Sequence, residues 1–252
     1  MHIAYDDKGS GQAVVLIHGH PFDRTMWQPQ LDHFSRTHRV ITPDLRGYGE
    51  SAVVPGRTPL GTFATDIHTL LDQLGVGEVV VGGLSMGGQI AMEFHRLYRD
   101  RVRTLILADT FPEAETPEGR EARYAMADRL EREGMAGYAD EVLWKMVSPR
   151  NPRAAERVSR MMRNAPPQGA AAALRGRAER PDYVDMLTTV TVPTLVVVGT
   201  EDEYTPVSVA RRMHDVIPGS TLAIIEGAAH LPNLERQTEF NQAVQQFLNR
   251  VD

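Results

Sequence analysis

Val79-Val80-Val81-Gly82-Gly83-Leu84-Ser85-Met86-Gly87-Gly88-Gln89 is the stretch that decides how this chain reads. A β-branched apolar run passes through Gly83-x-Ser85-x-Gly87 directly into a helix-like sequence. That is the pattern of a nucleophile elbow, a sharp strand-to-helix turn that lifts its serine clear of both elements. The turn imposes an unusual backbone conformation on Ser85 and demands small residues two positions away. Gly83 and Gly87 carry no Cβ and meet the demand.

Outward from the elbow, short apolar strands alternate with longer helical patterns, which implies βαβ units and a mainly parallel, doubly wound sheet of the α/β class. An edge-like strand is expected at 2–6. Ala13-Val14-Val15-Leu16-Ile17 is apolar on both faces, as a central strand should be. Asp23 can cap a helix ending near Phe34. Further strands are expected at 39–42, 104–108, 194–198 and 222–225, with helices at 60–74, from the elbow to about 98, and at 236–250. Between 111 and 187 no strand pattern occurs. Helices at 118–133, 136–147, 154–163 and 169–177 are separated by Pro149, Pro152, Pro166 and Pro167. The chain therefore divides into a core, 1–111 with 188–252, and a helical cap (lid) insertion at 112–187. Methionines 126, 135, 146, 161 and 162 lie in that cap. Their adaptability suits a lid over an apolar pocket, although packing of the cap onto the core accounts for most of them.

The bulk numbers narrow the function classes. At 252 residues, 42% of them hydrophobic and 24% charged, the chain can bury a sizeable core. Its net charge of −6 argues against a dedicated nucleic-acid binder. There is no cysteine, hence no disulfide, thiolate nucleophile or cysteine-held metal. The first residues lack the features of a signal peptide, and no apolar run reaches the length of a membrane span. The expectation is a cytoplasmic protein without membrane or nucleic-acid partners; its oligomeric state is not legible.

A serine hydroxyl needs a base, and the base an orienting partner. Of nine histidines, His230 stands out. It sits in Gly227-Ala228-Ala229-His230-Leu231-Pro232, just after the last strand, at the sheet edge where sites form. The acid should also follow a strand. Glu201, Asp202 and Glu203 follow one, and Asp109 ends another. Chain order, serine then acid then histidine, favours Asp202. An oxyanion hole requires two N–H donors. Met86 supplies one at the start of a helix, where the macrodipole favours negative charge. The other belongs to His18-Gly19-His20-Pro21-Phe22; Pro21 has no N–H, which leaves His20 or Phe22, with His20 preferred. The same loop raises a competing idea, a metal held by His18 and His20 with Asp109 or Asp202. No third histidine stands at a clear ligand spacing, and a metal leaves the elbow unexplained.

Together these residues resemble the α/β-hydrolase superfamily over nearly the whole chain. The resemblance rests on His18-Gly19-His20-Pro21, on 44–51 (DLRGYGES), on Gly83–Gly87, on Gly199-Thr200-Glu201-Asp202 and on Gly227-Ala228-Ala229-His230. It implies Ser85 as nucleophile, Asp202 as acid, His230 as base, the N–H groups of His20 and Met86 as oxyanion hole, a structural role for 44–51, and no cofactor or metal. Within the superfamily, 229–235 and the short cap look similar to 3-oxoadipate enol-lactonases, small bacterial carboxylesterases and cofactor-free haloperoxidase-type perhydrolases. Position 20, often aromatic or apolar there, is His20 here. The implied activity is serine-dependent cleavage of small to medium carboxylic esters or lactones; a receptor that keeps the triad is the alternative from another class. Arg163, Arg175, Arg177 and Arg180 in the cap can bind a substrate carboxylate, but a solvated helix face is the expectation for such residues.

Overall fold

The computed structural model describes residues 1–251. The strands are β1 (Tyr5–Lys8), β2 (Ala13–Ile17), β3 (Arg39–Pro43), β4 (Val79–Leu84), β5 (Val102–Ala108), β6 (Thr194–Gly199) and β7 (Thr221–Ile225). They form one sheet in the order β1-β3-β2-β4-β5-β6-β7, parallel except for the β1–β3 pair. The expected edge strand at 2–6 is displaced to Tyr5–Lys8. Its residues are largely exposed and polar, so only the pairing with β3 marks them as a strand.

Around the sheet run α1 (Gln28–Phe34), α2 (Leu60–Gln73), α3 (Met86–Leu97), α4 (Pro117–Glu133), α5 (Ala136–Met146), α6 (Pro152–Asn164), α7 (Pro167–Ala178), α8 (Val184–Leu187), α9 (Val207–Val216), α10 (Pro232–Glu235) and α11 (Gln237–Val251). Side chains alternate between sheet faces, and the core splits accordingly. Val15, Ile17, Val79, Val81, Leu105 and Leu107 pack with α2, α3 and α9 on one face. Val14, Leu16, Val80, Leu84 and Ile106 pack with α1 and α11 on the other. This is why β2 and β4 carry no polar residue at any position. The run from 112 to 187, between β5 and β6, carries only helices, α4 to α8. The four-residue α8 and α10 were not expected, since one turn leaves no periodicity to read. Among the described residues, no helix is long and apolar enough to cross a membrane.

Strand order reverses between β2 and β4: the chain leaves β2 toward β3 on one side and reaches β4 on the other. Loops diverging at such a switch point open a crevice beyond the carboxyl ends of the strands. The loop after β2 holds His18 to Pro21, and the turn after β4 holds Ser85.

Candidate active site

Ser85 sits between β4 and α3 with φ 57° and ψ −117°. Such left-handed geometry in a non-glycine residue stores roughly 1–3 kcal/mol and persists only where its surroundings enforce it. They do so here through backbone crowding. A Cβ on Gly83 would overlap the Gly87 carbonyl, and one on Gly87 would overlap the Ile17 carbonyl. The Ser85 N–H donates to Ala108 O at 2.9 Å, and Thr110 Oγ1 donates to Ser85 O at 2.7 Å.

Asp202 and His230, expected from separate loops, are brought together. The Asp202 Oδ2 to His230 Nδ1 distance is 2.8 Å, and both side chains are buried. Asp202 Oδ1 also accepts from the Tyr204 N–H at 2.8 Å and the Thr205 N–H at 3.1 Å, while the Thr205 hydroxyl donates to Oδ2. Burial pushes the Asp202 carboxyl up, but His230 and Thr205 outweigh it and hold it down to about 2. Asp202 is therefore ionised at neutral pH, and His230 Nδ1 carries the hydrogen between them. Nε2 is left to face the cavity. Ser85 and His230 line that cavity together, with no hydrogen bond between their side chains; such contacts often tighten only when substrate is bound.

The neighbouring carboxylates go elsewhere. Glu201 pairs with Arg150, and Glu203 is exposed. Asp109 is buried, with φ 44°, and its Oδ1 accepts from the Gly199 N–H at 2.9 Å. Ligand atoms of Asp109, Asp202 and His230 lie within 4.8 Å of one another. Burial first, then the Asp202 charge, push the Asp109 carboxyl well above the usual range. Asp109 thus stands beside the pair and holds its proton more tightly than an ordinary carboxyl.

In the loop after β2, His18 is fully occupied: Nδ1 donates to Gly19 O at 2.8 Å, and Nε2 accepts from the Leu45 N–H at 3.0 Å. It has no lone pair left for a metal, so the geometry does not support the two-histidine metal reading. His20 Nδ1 lies 2.7 Å from the Tyr48 hydroxyl. Burial, then Arg177 and Arg123, hold the His20 ring far below the ordinary imidazole range, hence neutral. The backbone N–H groups of His20 and Met86 donate to no acceptor among the described residues. The 44–51 segment is structural: Asp44 accepts from the Arg24 N–H at 2.7 Å and the Glu50 N–H at 2.8 Å, and pairs with the Arg24 side chain.

The cavity has a volume of about 250 Å³. Beyond His20, Ser85 and His230, its walls include Arg123, Tyr138, Met146, Arg177 and Tyr204, so α4, α5 and α7 all reach it. Met146 is the cap methionine on the wall, whereas Met135 and Met162 pack in the core. The expectation of a solvated face fits Arg163, paired with Asp140; Arg175 is half-buried, paired with Asp128 and Glu131. The expectation fails for Arg177 and Arg180, which are buried, because α7 lies against the core rather than over solvent. Glu235 was also not foreseen. Its carboxylate accepts from the N–H groups of Ala229 and Ser148 and from Asn151 Nδ2, each at 2.9 Å, tying the His230 loop to the cap.

The sequence profile of the alpha/beta hydrolase family matches residues 14–243, and the chain belongs to that family. A thermophilic esterase from Thermogutta terrifontis, solved with malate bound, is 42% identical; the match covers 99% of this chain and 93% of that one, with a TM-score of 0.97. The 3-oxoadipate enol-lactonase 1 of Acinetobacter baylyi is 28% identical, over 95% of this chain and 89% of its own. A bromoperoxidase from Bacillus anthracis is 26% identical, over 98% and 95%, with a TM-score of 0.87.

Proposed function

We propose that this hydrolase cleaves carboxylic esters through an acyl-enzyme. The observation that carries the reading is the convergence on one small cavity of Ser85, in its enforced turn, and the Asp202–His230 pair. Ser85 Oγ attacks the ester carbonyl while His230 Nε2 takes its proton. The ionised Asp202 holds the imidazole in the tautomer that leaves Nε2 free and stabilises the imidazolium that forms. The oxyanion accepts from the N–H groups of His20 and Met86, where one such donor typically contributes about 3–4 kcal/mol. His230 then protonates the departing alkoxide, and water activated by the same ring releases the acid.

A lactone is opened by the same steps with the alkoxide still tethered, and the likeness to an enol-lactonase favours testing one. Labelling by a fluorophosphonate probe is expected for the native protein and not for Ser85→Ala. Equal labelling of the two would sink the mechanism. Rapid multiple turnover of esters separates an enzyme from a receptor that keeps the triad.

A further inference from the structure

Arg163, Arg175, Arg177 and Arg180, the four arginines considered above for a substrate carboxylate, differ in one respect. Arg163, Arg175 and Arg180 each meet a carboxylate, Arg180 reaching Glu115 at 2.8 Å. Arg177 meets none among the described residues, although it is only 7% exposed. Its Nε donates to Gln89 Oε1 at 3.1 Å, and its two terminal nitrogens make no hydrogen bond or ion pair among the described residues. Those nitrogens carry four N–H donors in a planar fork. Arg177 lines the cavity that holds Ser85, together with Arg123. Arg123 shares Glu115 with Arg180, so three guanidinium groups have one carboxylate between them. Among the described residues, no acidic residue lines the cavity.

A buried charge without a partner is strongly unfavourable, and burial together with Arg123 and Arg180 disfavours the Arg177 cation. Its position is nevertheless fixed. Gly176 packs so closely on the Thr58 carbonyl that a Cβ would overlap it, and the Thr58 N–H donates to Ala172 O at 2.9 Å. Gln89, which braces the guanidinium, lies four residues after Ser85 in the first turns of α3. One helix thus sets both the nucleophile and the cationic fork.

We infer that the substrate of this site carries a free carboxylate, which Arg177 binds through its unpartnered N–H groups while Ser85 attacks the ester or lactone carbonyl at the other end. The inference rests on the hydrolase reading above and names its substrate class. A carboxylate matches the fork in a bidentate fashion, and the small cavity limits the molecule to a short chain, such as the half-ester of a small dicarboxylic acid. A neutral ester leaves the Arg177 donors unsatisfied.

The test compares monomethyl succinate with dimethyl succinate as substrates of the full chain. The native protein is expected to favour the monoanion in kcat/KM by about tenfold or more. Arg177→Met is expected to cut that preference about tenfold or more, chiefly through KM for the monoanion, and Arg177→Lys to retain part of it. Arg163→Met, on the exposed cap surface, leaves the preference as it was. Native preference for the dimethyl ester, or equal losses on both substrates in Arg177→Met, would overturn the inference. Calorimetric titration of succinate into Ser85→Ala gives a readout free of catalysis. Binding there, weakened about tenfold or more by adding Arg177→Met, supports the carboxylate site. Absence of succinate binding to Ser85→Ala, with the native protein still turning over esters, overturns the site and leaves the hydrolase reading standing. Succinate binding to Ser85→Ala, with no ester turnover or probe labelling of the native protein, does the reverse.

Discussion

Asparagine at position 202 is the substitution whose outcome the geometry constrains most tightly. Asp202 Oδ1 faces two backbone N–H groups, from Tyr204 and Thr205, which cannot rotate away. Its Oδ2 faces His230 Nδ1 and the Thr205 hydroxyl. An amide has one acceptor oxygen and one donor nitrogen. Pointing the nitrogen at the backbone sets it against two donors, so the oxygen goes there and the nitrogen turns to His230. The imidazole then accepts at Nδ1 and carries its hydrogen on Nε2, where it cannot take the Ser85 proton. Loss of the working tautomer costs about 10⁴ in kcat in a serine protease, equivalent to roughly 5 kcal/mol of transition-state stabilisation. Stability changes too. The folded carboxyl titrates at about 2 against 3.8 in the unfolded chain, which is worth about 2 kcal/mol above the unfolded value. That contribution is present at neutral pH and is lost as pH falls through the folded value. Asp202→Asn is therefore expected to lower kcat on a small acyl ester by three to four orders of magnitude (about 10³–10⁴) and Tm by roughly 4–8 °C at pH 7. The acid limb of its stability curve flattens between the two values. A loss in kcat of less than about tenfold, in a protein shown to be folded, would refute the assignment of Asp202 as the acid.

Asp109→Asn should behave in the opposite way. The native carboxyl titrates well above the 3.8 of the unfolded one, so it lowers stability as pH rises; the amide carries no such proton, and thermal melts should show a relative gain that grows as pH rises above about 4. Its kcat is expected to fall by no more than about fivefold, and a deficit matching that of Asp202→Asn would move the acid role to Asp109. Gly87→Ala drives a methyl group into the Ile17 carbonyl; we expect a loss of about 3 kcal/mol or more, or no soluble protein, and a melting curve like the native one would show that the elbow relaxes.

The elbow is legible in sequence because its constraint is local: two backbone approaches that admit only glycine, next to a strand buried on both faces. Strands β2 and β4 coincide with their apolar runs for the same reason. Asp202 is harder to read. Its two acidic neighbours have the same chemistry, and only the fold shows that Glu201 turns to Arg150 while Asp202 turns to His230. The cavity walls are the least legible part. Arg123 and Tyr138 lie in helices whose sequence gives no sign of which side meets the core. Arg175 and Arg177 are two residues apart on α7, so they point in different directions, one to Asp128 and Glu131, the other into the cavity. That difference is settled by how α7 docks, a tertiary fact outside the helix's own pattern.

The docking of α7 bears on how this protein can change over generations. Gly169 lies against Gly47, and Gly176 against Thr58, each so close that a single added methyl group would overlap main-chain atoms. Neither contact tolerates drift, so the helix bearing Arg177 is inherited as a unit with the 44–58 region. Helix α5 enters the cavity through Tyr138 and Met146, side chains with no comparable backbone constraint. New acyl specificities should therefore arise by turnover at α5 while α7 stays unchanged, and a directed-evolution library confined to positions 138 and 146 samples the variation this architecture permits.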